Sequence, residues 1–387
     1  MQNQRRLSAG AAIPKAPAVK RRMSRHGSVL IETTPRQIPW DLIDRLLVPI
    51  IGCHAAAIVC SGVFNFLGIS QVSAFVLFLF FSILTVGAAI GFHSLKVSSL
   101  GKAVLITGCE SPLARALARR LDDLGFIVFA GFKALDESAE AEMLKALSSG
   151  RLKPIQLDVS SEVQMLEASL TIAENLPEGA DGLWALVHCD VWCALGELEW
   201  IPFPVMRKSF DINVLGASRL SQIMLPLIRR ANGRLVFLSS AIAHIPSPVR
   251  GIQCATQAAI EGLASCLRHE LKTRAVNVSI VCASEFSSGD AWLDDSKMMD
   301  QAKAMWEQLS DEQKSVYGED YFETAIRSLE KYTNTDGDFH STVRALTDAI
   351  IRSFPLFRYT PLSRYEKLQT IVSEHLPRSV YELFYPN

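Results

Sequence analysis

This 387-residue sequence lacks an excess of either charge, and its cysteines follow no paired pattern. Lysine and arginine number 39 against 40 acidic residues, a net charge of −1. No basic surface therefore argues for nucleic acid as a partner. The eight cysteines do not show the paired spacing of a secreted disulfide framework. A reduced domain that faces the cytosol is the expectation.

Charge is absent altogether from one long stretch. Between Leu46 and Leu95 there is no Asp, Glu, Lys or Arg, in a chain that is 20% charged. Within this stretch, residues 46–67 and 72–92 each have the ~20 residues needed to cross a hydrocarbon core. A four-residue connection joins them. We therefore predict a transmembrane hairpin of two helices, with a buried hairpin of a soluble protein as the alternative.

Basic residues flank this hairpin on both sides. Residues 1–40 hold eight Lys or Arg and one acid, and Lys96 and Lys102 follow the second span. Positive charge on both flanks favours an integral membrane protein whose two ends lie in the cytosol. The arm over residues 1–45 is basic and is predicted to be disordered. Its composition is typical of a transit peptide and equally of a polybasic segment that contacts anionic membrane lipid.

After residue 100, apolar strand-like runs alternate with helical periodicity. This alternation predicts an α/β fold, a Rossmann-like doubly wound parallel sheet with helices on both faces. Ligands of such sheets bind beyond the carboxyl ends of the strands. The residues expected at those ends are Thr107, His188, Ser240 and Ala283.

Several segments together resemble one known family. They are KAVLITGC (102–109), LDV (157–159), GLWALV (182–187), NVLG (213–216), LPLIRR (225–230), GRLVFLSS (233–240) and LRHEL (267–271). In this order they resemble the short-chain dehydrogenase/reductase (SDR) family, in the branch of D-β-hydroxybutyrate dehydrogenase, retinol dehydrogenases and type 2 hydroxysteroid dehydrogenases. The resemblance covers about residues 101–385. It implies an NAD(P)-dependent oxidoreductase.

The chain departs from that family at its catalytic pair. The resemblance places the family's Tyr at Gln253 and its Lys at Gln257. A glutamine amide does not ionise near neutral pH, so Gln253 cannot donate the proton that carbonyl reduction needs. Gln257 carries no positive charge to lower the pKa of a neighbour. All seven tyrosines lie at or beyond Tyr317, so we expect no turnover by the family mechanism.

Other residues of the family's catalytic site are retained. The resemblance assigns Asn213 to ordering a water of the proton relay and Ser240 to donating a hydrogen bond to the substrate carbonyl. Both residues also suit a purely structural role. His244 is the only titratable side chain expected to border the site, and it is a speculative catalytic candidate.

The turn that would bind the cofactor is also altered. The resemblance assigns cofactor contacts to Thr107, Gly108, Ser111 and Asp158, with Asp158 on the adenine side. Two glycines of the family's T-G-x-x-x-G-x-G motif are here Pro112 and Ala114. Proline offers no N–H to a phosphate, and an alanine methyl hinders close packing of helix and strand. We expect weak affinity for NAD(P).

The family's N-N-A-G segment, which forms the floor of the cofactor site, is also replaced. It reads His188-Cys189-Asp190-Val191 in this chain. One such run, even with Cys193 nearby, lacks a second pair of metal ligands, so no metal site is predicted. Sequence drift is the simpler interpretation of this segment.

Residues 101–387 are predicted to form one SDR domain, in which residues 290–387 cap the substrate side. The family commonly pairs through two of its helices, so a homodimer is an expectation from the resemblance alone. The branch has members in the endoplasmic reticulum, which we favour as the location, and in mitochondrial membranes, which is the alternative.

Two functions remain open at this point. The first is a membrane-anchored pseudoenzyme that binds or scaffolds a lipophilic ligand or a partner. The second is an active NAD(P)-dependent oxidoreductase of steroids, retinoids, lipids or 3-hydroxybutyrate-like secondary alcohols, with a site built on Ser240, Asn213 and His244.

Overall fold

A computed structural model describes five stretches of the chain. They are residues 40–68, 72–245, 247–284, 295–329 and 339–384. Three predicted features lie wholly or partly outside them: residues 1–39 of the basic arm, residues 69–71 of the hairpin connection, and residues 290–294, 330–338 and 385–387 of the cap.

The predicted hairpin is formed by helices α1 (Trp40–Phe66) and α2 (Ala74–Ser94). The candidate spans within them are 17% and 0% buried, whereas a core helix of a soluble protein is mostly buried. The two helices contact each other through Cys53 Sγ and Thr85 Oγ1 at 3.2 Å. Length, apolar composition and exposure together indicate association with a membrane.

The boundary between the arm and the first helix was predicted too late in the chain. Helix α1 begins at Trp40, so residues 40–45 are helical and do not belong to an arm. The apolar stretch predicts only the part of the helix that lies in the hydrocarbon core, which is ~30 Å thick and takes about 20 residues to cross. A helix can continue past that limit into the headgroup region, where charged side chains remain solvated.

The predicted parallel sheet is confirmed. It has seven strands in the order β3-β2-β1-β4-β5-β6-β7, all of them parallel. The strands are β1 (Ala103–Ile106), β2 (Ile127–Phe132), β3 (Leu152–Gln156), β4 (Ala185–His188), β5 (Arg234–Ser240), β6 (Asn277–Ala283) and β7 (Arg358–Tyr359). Pro154 lies in β3, an edge strand, where a missing N–H costs no ladder hydrogen bond.

Helices cover both faces of this sheet. One face packs against α3 (Pro112–Asp123) and α4 (Ala139–Ala146). The other packs against α5 (Glu162–Glu174), α7 (Ala217–Arg230) and α8 (Gly251–Leu271). The two layers of fully buried aliphatic side chains on either side of the sheet form the core of the domain.

The long helix predicted over 203–230 is interrupted. A π-helical turn, Asp211–Gly216, separates α6 (Phe203–Phe210) from α7. A Cβ atom at Gly216 would lie 2.5 Å from the carbonyl oxygen of Val159, so only glycine permits this close approach to the chain beyond β3. Single π turns inside helices often occur at functional sites.

The structure divides the predicted cap into parts with different roles. Helices α9 (Asp295–Gln308), α10 (Asp311–Tyr317) and α11 (Glu319–Arg327) cover the segment that follows β4. Helix α12 (His340–Ile351) instead packs with α3 in the core beneath the sheet. Strand β7 extends the sheet, and α13 (Arg364–His375) and α14 (Arg378–Phe384) follow it. The described helices of residues 290–387 thus pack at different places on the domain, and a cap on the substrate side stays a prediction.

Removal of residues 40–94 is expected to release the domain from membranes. The full chain should stay in the membrane pellet after alkaline carbonate extraction, because two apolar helices without a charged side chain in their spans prefer hydrocarbon to water. The shortened chain should pass largely into the supernatant. Recovery of the full chain in the supernatant would contradict the membrane assignment.

Candidate functional site

The candidate site lies at the carboxyl edge of the sheet, as predicted. Thr107 follows β1, His188 ends β4, and Ser240 at the end of β5 pairs with Ala283 at the end of β6. All four residues therefore lie at the edge where open parallel sheets bind ligands. This edge also receives the amino-terminal part of α8.

Helix α8 carries the two glutamines that replace the family pair. Gln253 and Gln257 are four residues apart and so lie on the same face of the helix, and both are buried. The amide oxygen of Gln257 is buried without a hydrogen-bond partner. An unsatisfied buried acceptor costs about 1–3 kcal/mol, and such groups are often explained by an unseen water or by function.

A small cavity opens beside Gln257. Its lining residues are Val159, His188, Asp190, Ile212, Asn213, Ala217, Leu238, Gln257 and Ile260. It has room for about one water molecule. His188 is neutral there, because burial lowers its pKa to about 3. Its Nε2 lies 2.9 Å from Ser221 Oγ and its ring stacks on Phe237.

The retained Asn213 is held entirely by the protein itself. Its Oδ1 accepts a hydrogen bond of 2.7 Å from the N–H of Trp192. Its Nδ2 donates to the carbonyl oxygen of Trp192 at 2.8 Å and to Thr256 Oγ1 at 3.1 Å. Asn213 thus fixes the segment after β4 against the π turn and α8, which is the structural role weighed for it above.

His244 does not line this cavity, although it was expected to border the site. Its Nε2 lies 2.8 Å from Glu261 Oε2 and its Nδ1 lies 3.0 Å from Glu374 Oε1. Arg358 contacts both carboxylates. Burial alone would lower the pKa of His244, but its hydrogen bonds to the two glutamates raise that pKa to about 9. A catalytic role for His244 finds no support in this geometry.

Ser240 retains its position but caps a local element. Its Oγ accepts a hydrogen bond of 3.5 Å from the N–H of Ile242, at the start of a short 3-10 helix. The neighbouring Ser239 donates instead to Glu261 at 2.6 Å, on the His244 side. Ser240 remains only partly buried at the site.

The turn after β1 lies directly against the segment after β4. Gly108 has φ +66°, and a Cβ atom there would lie 3.0 Å from the N atom of Asp190 and from the carbonyl oxygen of Cys189. The N–H of Cys189 also donates to Thr107 Oγ1 at 3.1 Å. This close packing places the carboxyl group of Asp190 beside Thr107.

Asp190 is a partly buried acid that lines both this crevice and the cavity beside Gln257. Burial raises its pKa to about 7, and the negative charges of Glu110 and Asp158 add to that rise. Its Oδ2 is buried without a hydrogen-bond partner. A carboxyl group in such surroundings is protonated in part near neutral pH and repels further negative charge.

Two more acids lie on the same side. Asp158 forms an ion pair with Lys133 at 3.0 Å, and Ser160 N donates to it at 2.8 Å. Burial opposes ionisation of Asp158, but the hydrogen bonds from Ser160 and the charge of Lys133 lower its pKa. Glu110 accepts a hydrogen bond from the N–H of Lys133. The protein's own side chains therefore link the ends of β1, β2 and β3.

The amino end of α3 offers little to an anion. Ser111 caps the helix, and its Oγ accepts a hydrogen bond of 3.1 Å from the N–H of Ala114. Pro112 occupies the first turn and has no N–H. Of the N–H groups that usually bind phosphate at such a helix end, the one at position 112 is therefore missing and that of Ala114 is already engaged.

Comparison with known proteins identifies the family. The sequence model of a family described as short chain dehydrogenase matches residues 102–295. The mitochondrial D-beta-hydroxybutyrate dehydrogenase of Rattus norvegicus is 33% identical over 287 residues, which cover 74% of this chain and 84% of that protein. The chain belongs to the short-chain dehydrogenase family.

Other members of the family are also similar to this chain in sequence or in structure. Retinol dehydrogenase 7 of Rattus norvegicus is 31% identical over 261 residues, which cover 67% of this chain and 80% of that protein. The crystal structure of a short-chain dehydrogenase from Streptomyces avermitilis superposes with a TM-score of 0.57 at 20% identity, over 73% of this chain and 95% of that one. Because its identity is only 20%, the Streptomyces avermitilis structure supports the fold alone.

The family implies a nicotinamide cofactor, and the residues of this chain do not fit one. A dinucleotide brings a diphosphate to the turn after β1, where Asp190 has an orphaned carboxyl oxygen and a raised pKa. Asp190, Glu110 and Asp158 surround that position with negative charge, and Lys133 is engaged with Asp158. The helix end compensates for this charge less than usual, because Pro112 has no N–H and the N–H of Ala114 is engaged by Ser111.

Thr107, Gly108, Ser240, Gln253 and Gln257 lie at the carboxyl edge of the sheet, where the sequence predicts a site, but the sequence does not single out Asp190. Its one signal is a charged residue where the family has a small one, a difference that sequence drift also explains. The packing of Gly108 on residues 189–190, which gives the substitution its effect, is a tertiary contact that no local pattern reveals.

The His244 cluster should make the protein lose stability at alkaline pH. The folded-state pKa of His244 is raised to about 9, so its contribution is fully present below the unfolded value, about 6.5, and is lost as pH rises through 9. His244→Gln should lower Tm clearly at pH 6 and very little at pH 9.5, with a loss of about 1–3 kcal/mol at the lower pH. The control variant is His269→Gln, at an exposed histidine. If His244→Gln lowered Tm equally at both pH values, the pKa assigned to His244 would be wrong.

Replacing Asp190 should stabilise the protein, whereas replacing His244 should destabilise it, because the pKa of Asp190 is raised towards 7 and its ionisation costs folding free energy. Asp190→Asn removes that cost, so the variant should gain about 1–2 kcal/mol over the natural protein at pH 8.5 and much less at pH 5. Thermal unfolding of the detergent-solubilised chain at the two pH values is the measurement. Asp181→Asn, at an exposed position, is the matched control. A gain that does not depend on pH would show that Asp190 titrates normally.

Proposed function

We propose that this protein is a membrane-anchored pseudoenzyme of the short-chain dehydrogenase family, which binds or scaffolds a ligand or partner instead of transferring hydride. The observation that carries the proposal is the pair of buried amides, Gln253 and Gln257, on the face of α8 where the family has its acid and its lysine. Neither amide can supply a proton or a positive charge. A positioned acid or base is typically worth ~10²–10⁴-fold in rate.

No described tyrosine or lysine takes over that role in the cavity, whose lining contains neither residue type. Tyr317, which is partly buried, and Tyr321, which is exposed, donate hydrogen bonds of 2.6 Å to Glu199 and Glu197. The hydroxyl oxygen of Tyr359 on β7 accepts a hydrogen bond of 3.0 Å from Leu356 N. Within the part of the chain that the structure describes, no tyrosine or lysine therefore stands in the cavity in place of the family's acid.

The acids around Thr107 support the proposal in a second way, because they oppose binding of the cofactor. An anionic diphosphate would meet the carboxyl groups of Asp190 and Glu110, both on partly buried residues, and like charges repel more strongly there than in open water. Low affinity for NAD(P) then adds to the missing acid, because chemistry needs a cofactor held in reach of the substrate.

A lipophilic ligand remains compatible with the cap. Helices α9 and α11 pack Met298, Met305 and Phe322 onto Trp200, in a cluster of apolar side chains above the carboxyl edge. Methionine side chains are flexible and adapt to different partners. A ligand would enter by displacing them, so binding there would couple to movement of the cap.

The anchoring that we propose is a hairpin with both ends in the cytosol, as the flanking charges indicate. The endoplasmic reticulum is the favoured location and a mitochondrial membrane the alternative. A homodimer is proposed on the family resemblance, and the exposed Phe203 and Leu215 on α6 and the π turn provide apolar surface for it.

A second function, an oxidoreductase acting on steroids, retinoids, lipids or 3-hydroxybutyrate-like secondary alcohols, is favoured by one observation. Asp190 lines the same cavity as Gln257, and its pKa near 7 suits proton exchange at neutral pH. Such a site would use Asp190 with Ser240. It would still have to accommodate a dinucleotide beside the same carboxyl group.

Restoring the family pair alone should not restore hydride transfer. Gln253→Tyr with Gln257→Lys should leave NAD(P)H formation from a panel of secondary alcohols at background, because the phosphate site stays impaired. Activity should require Pro112→Gly and Ala114→Gly as well, and should increase further with Asp190→Ala.

Ser240→Ala in the most active variant is the control, and it should abolish any turnover gained. Turnover by the natural chain that is lost on Ser240→Ala or on Asp190→Asn would overturn the pseudoenzyme proposal. It would establish the second function in its place.

A further inference from the structure

The connection between the hairpin and the domain is hydrogen-bonded along its length. After α2 ends at Ser94, the carbonyl oxygen of Leu95 accepts from Ser353 N at 3.0 Å, and Val97 N donates to the carbonyl oxygen of Ile351 at 2.8 Å. Lys96 and Arg352 thereby form an antiparallel bridge. The guanidinium of Arg352 also donates to the carbonyl oxygen of His93. These hydrogen bonds connect the domain directly to the residues at the end of α2.

Apolar and basic side chains lie exposed around this junction. The ring of Phe354 packs edge-on against Phe92, with centroids 5.6 Å apart, and Phe354 is still 51% exposed. Leu100 is 86% exposed, and Lys96 is also exposed. Because Phe92 belongs to the candidate span, Phe354 lies at the level where that span leaves the hydrocarbon. Aromatic and basic residues are typical of that level.

The junction belongs to the amino edge of the sheet. Lys102 precedes β1 and lies 4.7 Å from the ring of Trp184, which precedes β4. Arg234, the first residue of β5, stacks on the same ring and donates to the carbonyl oxygen of Arg352 at 2.9 Å. The amino ends of three neighbouring strands are thus tied to the residues beside the span.

The candidate site lies at the other edge. All seven strands are parallel, so Thr107, His188 and Ser240 mark the end of the sheet away from the junction. The longest strands, β5 and β6, have seven residues each. At about 3.3 Å per residue, a strand of this length separates the two edges by roughly 20 Å.

We propose that the amino edge of the sheet, marked by Leu100 and Phe354, lies in the headgroup region of the bilayer, and that the crevice at the carboxyl edge opens away from it. This inference rests on the proposed membrane anchoring. Its consequence is that a ligand or partner reaches the crevice from the aqueous side. A lipid in the same bilayer would have to leave the membrane before it could bind.

Fluorophore labelling of the full chain in phosphatidylcholine vesicles tests this orientation. The background would carry alanine at the four cysteines that are not fully buried, Cys53, Cys60, Cys254 and Cys266. Single cysteines for an environment-sensitive label are placed by Leu100→Cys or Phe354→Cys. The matched control is Leu198→Cys, an exposed leucine in the segment that follows β4.

Nitroxide lipids should quench the labels at 100 and 354 at least twofold more than the label at 198. Stronger quenching at 198, or equal quenching at all three positions, would overturn the orientation. Leu100→Cys lies on an exposed loop, so it keeps the test valid if Phe354→Cys fails to fold. Retention of each labelled chain after carbonate extraction is measured in parallel. Release at that step would overturn the anchoring itself, a result distinct from a wrong orientation.

Discussion

The close approach of Gly108 to residues 189–190 is the constraint on which the site depends. It requires a left-handed backbone at Gly108, with neighbouring main-chain atoms at about 3.0 Å from where a Cβ would be. It also fixes whatever side chain stands at position 190 beside Thr107. In this chain that side chain is a carboxyl group, and its burial costs free energy that a small residue would not incur.

The rest of the site follows from that arrangement. An acid in the crevice disfavours an anionic cofactor, and under the proposed function the family's tyrosine and lysine on α8 would have no reaction to serve. The residues at those positions, Gln253 and Gln257, are polar side chains that offer neither an acidic proton nor a positive charge. Asn213 and Ser240 persist because each holds a local element: Asn213 joins the segment after β4 to the π turn, and Ser240 caps a helical turn. Retained residues are therefore no proof of retained chemistry.

The features predicted correctly are those that local pattern determines. The ends of β1, β4 and β5, the two apolar spans and the position of α8 all follow from hydrophobic periodicity and from the family segments. The π turn at 211–216 and the contacts of His244 depend on residues distant in the chain, namely Val159 for the first and Glu261, Arg358 and Glu374 for the second. Such contacts leave no periodic signal. The same is true of α12, whose burial against α3 separates it from the predicted cap.

Thermal unfolding of the purified full chain with and without NAD(H) and NADP(H) shows whether the crevice binds a nicotinamide cofactor. A ligand at 100 times its dissociation constant adds about 2.7 kcal/mol to the stability of the state that binds it. The account predicts no change in Tm with any of the four nucleotides at millimolar concentration, while Asp190→Ala combined with Pro112→Gly and Ala114→Gly gains a measurable increase. A clear increase in Tm for the natural chain would show that the crevice binds the cofactor despite its acids, and would contradict the account.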